Sequence, residues 1–235
     1  MVGGVPRFVS EARPPTGKQG ETRDAFGWEW QRFASLHDSN TYEKQFKEWI
    51  QPIEPEDFRG KIVLDAGCGM GRFSLVSARF GAKAVLAVDA SEAVNAAYQN
   101  LSGISQVHVI QGDIQKLPLR TDATAEMDLV FSIGVLHHLD DPQAGFSALA
   151  RHLRRDGTIF AWVYGRENND WIVHLVDPVR KAVTSRMPKW ALYLLSGAIT
   201  VVLHPMVRFL YHPVNTAPVC RPLARVLPYN DYLAW

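Results

Sequence analysis

The residues best able to do chemistry start in one run of this 235-residue chain, Val63-Leu64-Asp65-Ala66-Gly67-Cys68-Gly69-Met70-Gly71-Arg72. An apolar strand there enters a turn with glycine at every second position and continues into a helix. Glycines permit the tight turn and let a ligand come close to the backbone, and the helix N-terminus presents free N–H groups. One strand later, Leu86-Ala87-Val88-Asp89-Ala90-Ser91 ends on an acidic residue. A carboxylate in that place can accept hydrogen bonds from both hydroxyls of a ribose. A third signal, Gly112-Asp113-Ile114, follows the next apolar run. Asp113 suits the exocyclic amine of an adenine, and Ile114 and Met70 suit its ring. Each signal also has an ordinary structural use, as a strand–helix connection or a helix cap.

The type of nucleotide is narrowed by what the loop lacks. A dinucleotide fingerprint wants Gly or Ala at its sixth position, where a helix packs under a pyrophosphate. That position here is Arg72, and the spacing is Gly67-x-Gly69-x-Gly71, so NAD is disfavoured. No Gly-Lys-Ser/Thr follows, which excludes a phosphate loop. The run His137-His138-Leu139-Asp140-Asp141 invites a metal, but adjacent histidines rarely chelate one ion and Asp141-Pro142 reads as a helix start. No metal is expected. Cys68 and Cys220 form no CxxC pair and are too few for a disulfide framework, which fits a reducing compartment.

The elements that must position these residues follow from hydrophobic patterning. Short apolar runs at 61–66, 84–89, 106–111, 127–132 and 158–163 have the character of strands buried on both faces. Segments 72–80, 92–101 and 142–153 have helical length and periodicity. Such alternation predicts an α/β fold: a doubly wound, mostly parallel sheet with helices on both faces. Residues 1–24, rich in Gly and Pro, read as a disordered lead. Residues 25–58 read as one or two aromatic helices covering the cofactor and substrate, with the cap at Asp38, Ser39 or Asn40. Residues 59–165 form the nucleoside-binding α/β domain and 166–235 a helical, proline-punctuated appendage, a candidate substrate lid.

The three signals, in order and at this spacing, resemble the class I S-adenosylmethionine-dependent methyltransferases, of the type with small-molecule or lipid-like acceptors. So do Met127-Asp128-Leu129-Val130-Phe131-Ser132-Ile133-Gly134-Val135-Leu136-His137-His138-Leu139-Asp140-Asp141-Pro142 and Leu153-Arg154-Arg155-Asp156-Gly157-Thr158, and the resemblance covers about residues 60–165. It implies S-adenosylmethionine as cofactor, held by Asp65, Gly67, Cys68, Gly69, Gly71, Asp89, Ala90, Asp113, Ile114 and Ser132. Asp65 and the 67–71 loop fall near the methionine end, Asp89 at the ribose and Asp113 at the adenine. His137 then faces the transferable methyl and is the candidate general base for a protonated acceptor. A non-catalytic S-adenosylmethionine-binding protein of the same fold, or an NAD-dependent oxidoreductase, are the alternatives.

Partners are constrained by charge. Lys+Arg 25 against Asp+Glu 24 leaves a formal +1, with no global basic field for nucleic acid. The fourth strand leads into Ser132-Ile133-Gly134-Val135, not the Asn/Asp/Ser-Pro-Pro-aromatic run of the base-amine methyltransferases, and neither cysteine lies near this loop. A nucleic-acid substrate is therefore not expected. Residues 166–235 carry eight Lys/Arg against four Asp/Glu, about +4. Their run 190–203 is too short for a bilayer span of about 20 apolar residues. With the charge around it, 189–211 suits a buried lid helix or peripheral membrane contact. The lead has no apolar signal core, so a cytoplasmic protein, with or without membrane association, is expected.

Two expectations concern the flanks. Val5-Pro6-Arg7-Phe8-Val9 resembles the closing segment of small zinc ribbons that precede some methyltransferases, without the ribbon's cysteines. Methyltransferases of the resembled type close their sheet with a sixth and a seventh strand, and no place for that hairpin is evident after Val163. An incomplete sheet with an unpaired edge is the expectation.

Overall fold

The computed structural model describes residues 3–9, 18–33, 36, 39–117, 119, 127–164, 174, 178, 182–184 and 187–210. The chain divides into two compact units, residues 1–164 and 165–235.

Unit one begins with helices α1 (Lys18–Arg32) and α2 (Ser39–Trp49). Strands β1 (Ile62–Ala66) and β2 (Ala84–Asp89) flank α3 (Arg72–Arg79), and α4 (Ala93–Asn100) leads to β3 (Val107–Gln111). Then come β4 (Met127–Ile133), α5 (Pro142–Ala150) and β5 (Leu153–Trp162). All pairings are parallel and the order is β3-β2-β1-β4-β5. The chain therefore reverses its direction of sheet growth between β1 and β4. At such a switch point the loops after neighbouring strands diverge and leave a crevice at the strand C-terminal edge.

Alternation along the strands decides which face each residue serves. Val63, Val85, Leu129 and Phe131 point to one face and pack with Phe46, Phe58, Phe73 and Val76. Leu64, Ala66, Val88 and Val130 point to the other and pack with Leu136 and Leu149. Phe46 of α2 is fully buried, with ring centroids 5.0 Å from Phe73, 5.2 Å from Phe131 and 5.6 Å from Phe58. Burying such a side chain stabilises the fold by roughly 1.5–3 kcal/mol. Helix α5 starts as its sequence demands: Pro142 occupies the first turn and Asp141 accepts the Ala144 N–H at 2.8 Å. At the opposite edge, Asp128 accepts the Ile62 N–H and pairs with Arg154, tying β1, β4 and β5 together.

Three departures from the sequence reading stand out. The lead is not disordered throughout: α1 already begins at Lys18, and residues 3–9 dock on the sheet, with Val5 fully buried and Arg7 bridged to Gln111 at the outer edge of β3. The segment expected to be helix up to 153 stops at Ala150, and β5 begins at Leu153 rather than 158. Arg154, Arg155 and Asp156 belong to an edge strand, where their charges reach solvent, and the register shifts beside Met127 and Leu129 absorb the irregularity. The aromatic helices are longer than expected at their start, since α1 draws on residues assigned to the lead. The cap position Asp38 and the 216–235 stretch bearing on a missing hairpin lie outside the described residues; among those described, the sheet has five strands.

Unit two contains α6 (Lys189–Leu210), which continues through Pro205. Among the described residues, no helix is long and apolar enough to cross a membrane.

Candidate functional site

The glycine loop is held to β2 by its backbone. The N–H groups of Gly67 and Cys68 both donate to the Val88 carbonyl, at 2.7 and 2.9 Å, and Gly71 N–H donates to the Cys68 carbonyl at 2.9 Å. Gly67 has φ 91° and Gly71 φ 89°. A Cβ on Gly67 would lie 2.2 Å from Val135, and one on Gly71 would lie 2.6 Å from Leu101. Protein packing thus demands these two glycines, in addition to any ligand. Asp89 joins the loops: Oδ2 accepts from Gly69 N–H at 2.9 Å, while Oδ1 accepts from the Ser91 N–H (2.8 Å) and hydroxyl (2.7 Å). A carboxylate has about four acceptor positions, so roughly one remains for a ligand hydroxyl.

A cavity of about 630 Å³ opens at this edge of the sheet, within the roughly 300–1,000 Å³ range of small-molecule sites. Gly67, Cys68, Gly69, Asp89, Ala90, Asp113 and Ile114 line it, along with Met70 and Ser91. Asp113 also holds its own turn, Oδ1 accepting the Gln115 N–H at 2.9 Å. Four other residues expected at the cofactor do not line the wall: Asp65, Gly71, Ser132 and His137. Asp65 lies on the face covered by α3, 2% exposed, and accepts the Ser74 hydroxyl at 2.6 Å. Burial pushes its carboxyl up to about 7, with the Ser74 hydrogen bond and the Arg72 charge offsetting part of the effect. Gly71 backs against Leu101 and Ala97. The Ser132 hydroxyl is buried and donates to the Ala66 carbonyl at 2.9 Å. His137 sits behind His138, ring centroids 4.0 Å apart, and edge-on to Tyr164 at 4.9 Å. Partial burial lowers its pKa from the ordinary histidine value, which favours the neutral imidazole. Its neighbour His138 is the histidine in the wall.

The other end of the cavity is aromatic, and part of it comes from the 25–58 segment expected to cover the cofactor and substrate. Trp49 of α2 stacks on Trp162 of β5 at 4.3 Å with planes 10° apart, and Tyr164 meets Trp162 edge-on at 4.9 Å. Phe26 of α1 lies against His138 at 5.1 Å. The Arg72 guanidinium is flanked by the rings of Phe73 (4.5 Å) and Trp30 (5.6 Å), and all of these except Tyr164 and Trp162 come from helices or the loops beside them. Each of these side chains lines the same cavity. The aromatic richness of 26–50 was the available signal; its partner residues at 162 and 164 had none. Cys68, though in the wall, is no nucleophile: burial and the Asp65 and Asp89 charges hold its thiol well above the ordinary range. Among the described residues, no group of His, Cys, Asp and Glu is arranged to hold a metal ion.

A parallel sheet with a glycine loop and acidic residues at successive strand ends, opening on one crevice, defines a nucleoside-binding α/β enzyme domain. Residues 64–161 match the methyltransferase domain family. This segment is a methyltransferase domain, and its likeness to the class I S-adenosylmethionine-dependent methyltransferases implies S-adenosylmethionine as cofactor. The chain is 33% identical over 124 residues to a ubiquinone biosynthesis O-methyltransferase of Idiomarina loihiensis, covering 50% of this chain and 48% of that one. It is 33% identical over 107 residues to a malonyl-[acyl-carrier protein] O-methyltransferase of a Methylovorus species, covering 42% and 35%. It thus spans about half or less of the length of these relatives. A solved Methanococcus maripaludis structure assigned to the S-adenosyl-L-methionine-dependent methyltransferases superposes with TM-score 0.50 over 83% of this chain and 88% of that one; at 16% identity it shows the fold alone.

Proposed function

We propose that this chain transfers the methyl group of S-adenosylmethionine to a small acceptor with a flat, apolar body. The observation that carries the reading is the two-ended cavity, polar beside the glycine loop, Asp89 and Asp113, and aromatic beside Trp49, Trp162 and Tyr164. In this reading the loop 67–69 borders the methionine part of the donor, Asp89 takes one ribose hydroxyl, and Asp113 with Ile114 takes the adenine. The bound donor supplies an electrophilic sulfonium methyl. The protein's work is then to align the acceptor and exclude water. The stacked tryptophans hold a planar acceptor, and Phe26, Trp30 and Phe73 keep water from the transfer path. Where the acceptor carries a proton, His138 takes it; the part expected of His137 passes to its neighbour, which is the one on the wall. Relatives named for O-methylation in ubiquinone biosynthesis support a small acceptor. The test is turnover of isotope-labelled S-adenosylmethionine with a panel of hydroxylated aromatic and short aliphatic compounds. Label should pass to planar aromatic acceptors. Preference for the aliphatic set would refute the acceptor class, and binding of donor without transfer to anything would favour a non-catalytic binding protein.

We also propose that α6 supplies peripheral lipid contact, as a lipid-like acceptor would require. Trp190, Leu194, Ile199, Val201 and Val202 are all exposed on it, and it carries no acidic residue. Vesicle flotation should rise with anionic lipid and fall with salt. Flotation unaltered by Trp190→Ser together with Val202→Ser would remove α6 from that role.

A further inference from the structure

We propose that residues 5–9 are a clasp across the adenine end of the cavity, with Arg7 its positioning residue and Phe8 and Val9 its contacts to the base. The proposal rests on the donor reading above for the identity of that end.

The clasp is anchored in three ways. Val5 is fully buried, packed in one cluster with Ala87, Val94, Leu101 and Val109. The Pro6 carbonyl accepts the Gln111 N–H at 2.9 Å and the Phe8 N–H donates to the Gln111 carbonyl at 2.8 Å, so the segment runs parallel to the last residue of β3. The Arg7 guanidinium then reaches three acceptors, two at the start of α4 and one at the end of β3: Glu92 Oε1 at 2.8 Å, Asn95 Oδ1 at 2.8 Å, and Gln111 Oε1. Gln111 Nε2 extends the same network to the carbonyls of Ala90 (3.2 Å) and Ser91 (3.3 Å). Burial raises the Glu92 carboxyl, but the hydrogen bonds from Arg7, Asn95 and Gln111 more than offset it and hold the group below the usual range. The cluster therefore stays ionised at neutral pH.

What this network fixes is the spacing of the two ligand-bearing loops. Ala90 and Ser91 follow Asp89, and Asp113 follows Gln111, so Arg7 braces the ribose loop against the adenine loop. A planar fork with several donors is the group for this task; an ammonium satisfies fewer fixed acceptors. The clasp also does something that anchoring does not need. Beyond Arg7 the chain presents Phe8 and Val9 to the cavity, on a wall shared with Asp113 and Ile114. Phe8 is 55% exposed, a large apolar ring at a cavity mouth and outside every core cluster. A flat base seated between Ile114 and this ring would cover it.

The test uses the full chain, with S-adenosylhomocysteine and adenosine as probes in calorimetry and amide exchange read at Phe8 and Val9. Phe8→Ala should weaken both probes by a similar factor, about three- to tenfold, because the lost contact lies on the part they share. Arg7→Ala should weaken both about fivefold and speed exchange at the Phe8 amide, and Arg7→Lys should recover part of the affinity. In the wild type, S-adenosylhomocysteine should slow exchange at Phe8 and Val9, which a merely structural strap would not show. Unchanged affinities in Phe8→Ala, ligand-independent exchange, or a loss confined to S-adenosylhomocysteine would each overturn the clasp. Phe8 is exposed, so its variant tests contact even if Arg7→Ala fails to fold. A wild type that binds neither probe would bring down the donor reading and the clasp with it, whereas binding unaltered by the variants removes the clasp alone.

Discussion

The two ends of the cavity are built by different physics. At the glycine loop, position is set by hydrogen bonds of fixed direction: Gly67 and Cys68 donate to Val88, Gly69 and Ser91 to Asp89, and Gln111 to the loop after β2. At the aromatic end, position is set by rings packed against rings, with Trp49, Trp162, Tyr164 and Phe26 contributed by three separate elements and their flanks. Directional bonds suit a ligand that never changes. Ring packing tolerates variation in outline, and it is the end from which acceptor choice would be altered without disturbing the donor.

Substitutions at the two ends should therefore have different effects. The largest effect is expected beneath the polar end, at Asp65. Its carboxyl is raised from 3.8 to about 7, so the stability it contributes is fully present below pH 3.8 and is lost as pH rises through about 7. Asp65→Asn keeps an acceptor for Ser74 and removes the ionisation. Denaturant unfolding should find the two proteins similar near pH 4, with the variant gaining as pH rises, up to about 4 kcal/mol by pH 8 at 1.4 kcal/mol per unit. A difference that stays flat from pH 4 to 8 would mean an ordinary carboxyl.

Asp89→Ala comes next. It removes the acceptor that joins Gly69 to Ser91 and the position left for a ribose hydroxyl. Affinity for S-adenosylhomocysteine should fall by roughly 1.5–3 kcal/mol, the range for hydrogen bonds to a charged group. Equal calorimetric affinities would sink the ribose assignment. The smallest effect belongs to Trp162→Ala, which forfeits a ring stack of about 0.5–1.5 kcal/mol beyond its buried area. Steady-state kinetics should show KM for the acceptor rising while donor affinity holds. Parallel losses for donor and acceptor would erase the division between the ends.

The polar end was legible in the sequence for a physical reason. Strands buried on both faces are continuous apolar runs, so 84–89 was bounded at both ends as the structure has it, and the glycine and acidic signals sit directly at such strand ends. Side-chain alternation could have placed Asp65: it shares parity with Val63, which faces α3, and not with Leu64 and Ala66. Nothing local could have placed residues 3–9, whose partner Gln111 lies across the whole first half of the sheet. The early start of β5 was hidden by the charges of Arg154, Arg155 and Asp156, which fell between the expected helix and strand and are in fact tolerated on an edge. The aromatic end was legible only as composition, because Trp49 acquires its meaning from Trp162, and no spacing rule connects them.

That stack has a consequence in optics. Two indoles 4.3 Å apart and nearly parallel are coupled chromophores, one carried by α2 and the other by β5. The near-ultraviolet circular dichroism they share arises only when both elements are seated. The molecule therefore carries, without any added dye, a signal that reports when β5 closes onto its helical cover.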